Sequence, residues 1–345
     1  MVPSGPLFTL RPRDSISAVN DVVAVGDGGS IASGSSDGYL RLWDMVTRRP
    51  SVSISTGVDP VIGLVEPTGV EDSHRIGVQT KAKTLSLWDV AHQSGKAPIW
   101  SIPIPKAYTF CKAVPLRDST IACPLTESDI GIIDSRTGVV AGVLQAPTSS
   151  EGSTTTPKGA GSAVAVRQLD DEGGNGVVVV YESGRVALFD TRRLDHPCAE
   201  SHPHEMKKAR GGSGSTVTCM ERLANELWVG TSNSYISMLA AGRVDEEYSI
   251  EEVGMGNSNN FLHVEEASVG IGSMAVRSDL RLLAAGLWDG RIILIDVKTR
   301  TLLGDLPRSH DASITKVTFL PDNRFVAAST DGRLSVWNTY QDTVV

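Results

Sequence analysis

The sequence predicts an all-β chain folded as a seven-bladed β-propeller, its ring closed by the N-terminal strand. Three observations predict it. One strand-turn-strand phrase recurs along the chain, apolar and polar residues alternate within that phrase, and 345 residues are too many for one continuous core. Single hydrophobic cores stop growing near ~250–300 residues, so a chain of this length without an obvious break calls for a repeat architecture or for two domains.

The phrase consists of a small-residue strand, a polar turn, an alternating strand, then an aromatic or aliphatic residue followed by Asp. Its first copy, at residues 31–44, reads IASGSSDGYLRLWD. It returns as VQTKAKTLSLWD ending at Asp89, GIID ending at Asp134 and VVVVYESGRVALFD ending at Asp190. Further copies are VGTSNSYISML near Leu239, LLAAGLWDGRIILID ending at Asp296 and VAASTDGRLSVWN ending at Asn338. The marks near 44, 89, 134, 190, 239, 296 and 338 stand about 42 to 57 residues apart, the WD40 period with insertions. The insertions are read as loops at 146–162, 202–214 and 251–267, and residues 1–345 as one propeller domain.

Within each copy the alternation has period 2, as in Tyr39, Leu40, Arg41, Leu42 and Trp43, which marks a half-buried antiparallel strand. One such sheet cannot bury both of its faces, but sheets packed radially cover one another. The last copy offers only three strands, Ile314–Phe319, Phe325–Ser329 and Leu334–Trp337, so its fourth is expected from Pro6–Leu10.

In that last blade the WD40 pattern supplies His310, Ser329, Asp331 and Trp337. By analogy the imidazole links the Asp331 carboxylate to the Ser329 hydroxyl, and the hydroxyl reaches the Trp337 indole N–H. A Ser, a His and an Asp together also suggest a hydrolase, but a set built into a repeat is a structural strut. Blade 1 keeps Ser35, Asp37 and Trp43 and has no matching histidine. Gly34-Ser35-Ser36-Asp37-Gly38 fits the nucleophile-elbow pattern, yet a strand follows it where that motif needs a helix. With no assembled nucleophile, metal set or nucleotide loop, the chain is expected to be no enzyme and to need no cofactor.

Composition narrows the partners. A net charge of −8 argues against general nucleic-acid binding, which depends on clustered Lys and Arg. No apolar run approaches the ~18 residues of a membrane span, so a soluble intracellular protein is expected. Cys111, Cys123, Cys198 and Cys219 lack C-x-x-C spacing and read as reduced thiols buried on strands. His196, Cys198, His202 and His204 read as an exposed Pro-punctuated connection and not as a zinc site. The acidic groups at 170–172, 245–247 and 265–266 read as solvated loops.

Turns between the third and fourth strands of the blades carry Arg48 and Arg49, Arg136, Arg192 and Arg193, then Lys298 and Arg300. One rim is therefore expected to be basic. The opposite face is expected to hold Asp37, Glu182, Asp289, Asp331 and the three insertions, giving a disc whose faces meet different partners.

Beyond the repeat, PLFTLRP at 6–12, AYTFCK at 107–112, VVVVYESGRVALFD at 177–190, AAGLWDGRI at 284–292 and LSVWNTY at 334–340 resemble the WD40 family of ASTRA-associated protein 1, which includes the G-protein β-subunit-like protein 1. The resemblance runs over nearly the whole chain. It implies a non-catalytic scaffold of the nucleus and cytoplasm, a subunit of the ASTRA chromatin-regulatory and cochaperone assembly that supports maturation of phosphatidylinositol-3-kinase-like kinases. The implied partners are the Tel2–Tti1–Tti2 cochaperone and the RuvB-like ATPases, with no direct nucleic-acid or membrane contact. Tyr108 and Lys112, from the family-specific phrase, join Arg48, Arg49, Arg192 and Arg193 as the candidate partner surface, while Phe110 and Cys111 read as core positions of a first strand. The alternative is a substrate receptor of a cullin-4 ubiquitin ligase, since Phe189-Asp190-Thr191-Arg192 fits the aromatic-Asp-x-Arg ending of such receptors.

Overall fold

Alternation of β-branched and polar residues, punctuated by Gly, Asp and Ser turns, produces 29 strands and no helix among the described residues. The computed structural model describes residues 4–13, 16–68, 74–91, 97–107, 109–147, 160–169, 175–201, 216–244, 247–252, 261–263 and 269–339. The chain divides into two compact units, Met1–Ile102 with Val269–Val345, and Pro103–Ser268.

The first strand, β1 (Phe8–Leu10), stands apart from its neighbours in sequence. Blade 1 is β2 (Val19–Val25), β3 (Ser30–Ser35), β4 (Tyr39–Asp44) and β5 (Arg49–Ser55), and blade 2 is β6 (Val61–Val65), β7 (Arg75–Thr80), β8 (Thr84–Asp89) and β9 (Trp100–Pro103). Blade 3 is β10 (Val114–Leu116), β11 (Thr120–Pro124), β12 (Ile130–Asp134) and β13 (Val140–Leu144). Blade 4 is β14 (Ala163–Gln168), β15 (Gly176–Tyr181), β16 (Val186–Asp190) and β17 (Ala199–Ser201). Blade 5 is β18 (Val217–Leu223), β19 (Glu226–Thr231), β20 (Tyr235–Val244), β21 (Glu247–Glu252) and β22 (Phe261–His263). Blade 6 is β23 (Ile271–Val276), β24 (Leu282–Leu287), β25 (Ile292–Asp296) and β26 (Thr301–Asp305), and the chain ends in β27 (Ile314–Phe319), β28 (Arg324–Ser329) and β29 (Leu334–Asn338). Seven consecutive antiparallel sheets of this kind make a seven-bladed β-propeller.

The expected fourth strand of the last blade is β1. It lies antiparallel to β29 with Phe8 opposite Val336 and Leu10 opposite Leu334, and Leu7 N–H adds a bond of 2.7 Å to the Val336 carbonyl. Leu10 is buried there with Trp43, Val326, Leu334 and Val336. One expected loop is partly strand: within 251–267, Glu251 and Glu252 end β21 and Phe261–His263 form β22, which pairs with Tyr235–Ser237 of β20. Because β20 runs past its Asp-less mark at Leu239 to Val244, it is long enough to pair with two short strands on one side. Residues 148–159 and 202–214 of the other two insertions lie outside the described residues, as do the acidic residues 170–172, 245–246 and 265–266.

Burial follows position within the blade. Central strands such as β15, GVVVVY, are buried on both faces, whereas the outer β5 of blade 1 is mostly exposed. Six first strands skip one residue in their pairing with the second strand, between 19 and 21, 61 and 63, 163 and 165, 217 and 219, 271 and 273, and 314 and 316. Such a bulge re-aims a side chain out of the ladder. The skipped Thr315 donates its hydroxyl to the Val19 carbonyl at 2.6 Å, and the skipped Asn20 donates its amide to the Val61 carbonyl at 2.7 Å, so blade 7 is tied to blade 1 and blade 1 to blade 2.

The turns between second and third strands rest on the connection that follows. Gly38, at φ +77°, shows why this position is glycine: a Cβ there would meet the Gly57 carbonyl oxygen at 2.2 Å.

Candidate interaction surface and buried hydrogen-bond sets

His310 precedes β27 and is fully buried. Its Nδ1 is 3.1 Å from Asp331 Oδ2 and its Nε2 is 2.7 Å from Ser335 Oγ, to which the Trp337 indole N–H also donates at 2.8 Å. The hydroxyl that joins imidazole to indole is therefore Ser335, and the expected assignment to Ser329 is corrected. Ser335 and Trp337 stand two apart on β29 and share a face. Ser329, at the end of β28, lies beyond the last paired residues of β28 and β29; its hydroxyl donates to the Ala312 carbonyl at 3.0 Å and accepts from Asp331 N–H at 3.2 Å.

Burial pushes the Asp331 carboxyl up, but the hydrogen bond and charge of His310, with the N–H groups of Arg333 and Asp311, outweigh it and hold the group below the usual carboxylate value. Both ring nitrogens of His310 are engaged, and Ser335 is fully buried, so no hydroxyl of this Ser, His and Asp set faces a substrate.

Blade 1 solves the same problem without histidine. Arg41 occupies the place two before Trp43, is 4% exposed, and extends its guanidinium to Ser35 Oγ at 2.7 Å and to Asp37 Oδ2 at 2.7 Å. The Trp43 indole turns instead to Ser33 at 2.8 Å. Sequence reading noted the missing histidine and overlooked Arg41; its signal is a charged residue on the apolar side of an alternating strand.

The aspartates that end the third strands shape the turns. Asp44 accepts from the N–H of Val46 and Thr47, Asp134 from Arg136 and Thr137, Asp190 from Arg192, and Asp296 from Thr299. Each bond stabilises the ionised carboxylate, and all four groups are held below the usual value: Asp44 and Asp296 first by backbone donors, Asp134 first by Arg136, Asp190 first by Arg192.

The candidate partner residues separate accordingly. Arg192 lies on Asp190, with Nη2 2.5 Å from Oδ2 and Nε 2.9 Å from Oδ1, and Arg136 lies 3.0 Å from Asp134. These turns are dipolar rather than simply basic. Arg193 is exposed and forms an isolated bridge with Asp190. Arg48, at φ 58°, places its guanidinium 4.5 Å from the Phe8 ring centroid, and Arg49 begins β5 in the open. Lys112 is half-buried, and Tyr108 lies outside the described residues. The reading of Phe110 as core is corrected: β10 begins only at Val114, and Phe110 is 85% exposed beside the fully buried Cys111.

Among the described residues no group of His, Cys, Asp and Glu is arranged to hold a metal, and His202 and His204 lie outside those residues. No described helix is long and apolar enough to cross a membrane.

Residues 5–44 and 300–338 match the family model for WD40, the WD domain or G-beta repeat. The chain carries WD40 repeats in these two stretches. This WD40 chain is 25% identical, over 98% of its own length and 97% of the relative's, to guanine nucleotide-binding protein subunit beta-like protein 1 of Mus musculus. A shorter likeness, 46% identity over 66 residues, links 19% of it to 15% of WD repeat and SOCS box-containing protein 1 of Takifugu rubripes. Among solved structures, the β-propeller domain of Cps50 (Swd1) from Myceliophteria thermophila superposes with a TM-score of 0.75 at 14% identity, covering 98% of this WD40 chain and 100% of that one.

Proposed function

We propose that this WD40 protein is a non-catalytic scaffold of the ASTRA assembly in nucleus and cytoplasm, supporting maturation of phosphatidylinositol-3-kinase-like kinases. WD40 propellers present loops and strand edges to protein partners, and the coarse role of protein-interaction scaffold follows from the fold and family. The finer reading rests on one observation, the end-to-end resemblance to the mouse β-subunit-like protein. Its partners are then the Tel2–Tti1–Tti2 cochaperone and the RuvB-like ATPases.

Mass spectrometry of a tagged copy recovered from cell extract tests this. Enrichment of the cochaperone and the ATPases is expected; recovery of a cullin-4 adaptor in their place overturns it. The cullin-4 reading draws on Phe189 to Arg192, of which Phe189 is fully buried while Arg192, paired with Asp190, stays exposed.

A further inference from the structure

We infer that the surface where the N-terminal strand meets the β4–β5 turn of blade 1 binds an acidic peptide segment that carries an apolar anchor. The inference takes from the scaffold reading only that the partner is a protein.

The β4–β5 turn departs from its counterparts in blades 3 and 4. In blades 3 and 4 the residue two after the strand-ending aspartate is an arginine, Arg136 or Arg192, and it closes on that aspartate. In blade 1 this place belongs to Val46, which is 87% exposed. Asp44 is occupied by the backbone N–H groups of Val46 and Thr47, and the arginines come later, at 48 and 49. Neither Arg48 nor Arg49 makes an ion pair among the described residues.

Arg48 instead lies across Phe8 of β1, and the adjoining Leu7 is 50% exposed. The surface therefore combines two guanidinium groups that have no carboxylate partner among the described residues with the apolar side chains of Val46, Leu7 and the open part of Phe8. Guanidinium groups offer carboxylates a fork of donors, and a cation already laid on an aromatic ring loses little freedom on binding. Exposed apolar side chains ringed by cations suit a Leu or Phe anchor flanked by Glu or Asp. A nucleic-acid backbone fits poorly, because two arginines beside a carboxylate, on a chain of net charge −8, release few counterions.

The test uses the full chain and a short fluorescent peptide in which Leu and Phe alternate with Glu, read by anisotropy. One control peptide replaces Glu by Gln and another replaces Leu and Phe by Ser. The parent peptide is expected to bind, with both controls roughly tenfold weaker and affinity falling as salt rises. Val46→Asp and Arg49→Glu should each weaken the parent peptide roughly tenfold, and Arg136→Glu should leave it unchanged. Val46 is at an exposed turn tip, so its variant tests the surface even if Arg48→Glu loosens β1.

Equal binding by the Val46→Asp chain, equal binding of the Ser-substituted peptide, or no binding of the parent peptide at about 1 mM, the weak limit of specific recognition, overturns the inference. If the peptide does not bind while the tagged chain still recovers the cochaperone, this surface fails and the scaffold reading stands. If the peptide binds and the cochaperone is not recovered, the reverse holds.

Discussion

His310, Asp331, Ser335 and Trp337 form a chain of hydrogen bonds with no member exposed enough to be replaced by water. Ser335→Ala leaves an indole N–H and an imidazole nitrogen buried without a partner, which costs about 1–3 kcal/mol in urea unfolding. Trp337→Ala also removes a ring stacked on Phe325, with centroids 6.1 Å apart, and should cost about 3–5 kcal/mol. Asp331 carries the pH dependence. Its folded carboxyl titrates below the unfolded one, so its contribution is complete above the unfolded value of ~3.9 and fades as pH falls through the folded value. The stability gap between wild type and Asp331→Asn, followed by urea midpoint against pH, should therefore narrow in acid; a gap that widened would contradict the sign. Three of these four residues were legible in the repeat. The hydroxyl was misplaced because Ser329 and Ser335 both border the turn that carries Asp331, although the two-residue spacing of Ser335 and Trp337 on one strand already puts them on one face.

At the scale of strands and turns, periodicity located all seven sheets and the contribution of β1, since alternation is a local property of the chain. What it missed depends on neighbours distant in sequence. Phe110 is apolar yet exposed because the first strand of its blade starts later, and Phe261–His263 is strand because β20 offers it an edge. The basic turns were legible as composition, but the pairing of Arg192 with Asp190 follows from turn geometry. Two substitutions probe this level. Leu10→Glu places a carboxylate in the apolar cluster of blade 7 and should lower the melting temperature, as should removal of residues 1–10; an unchanged temperature would show that β1 is dispensable. Gly38→Ala adds a methyl against the Gly57 carbonyl at positive φ and should destabilise by more than about 1 kcal/mol, measured in the same urea assay.

Over the whole molecule, the thiols report on integrity. Cys111 and Cys123 are fully buried, and burial pushes the Cys111 thiol up to about 12, so neither forms thiolate in the native chain near neutral pH. Cys198 is exposed. Ellman's reagent should label Cys198 promptly and reach Cys111 and Cys123 only as the protein unfolds in urea; prompt reaction of either would mean that its compact unit opens locally. The pairing of β1 with β29 also sets an order of events during synthesis. Phe8–Leu10 leaves the ribosome well before its partner Leu334–Val336, so a nascent chain holds an unmatched apolar strand while the intervening blades are made. A shielding chaperone, or a slow passage of the ribosome before Leu334–Val336 is made, would raise the yield of this protein by covering that strand until its partner exists.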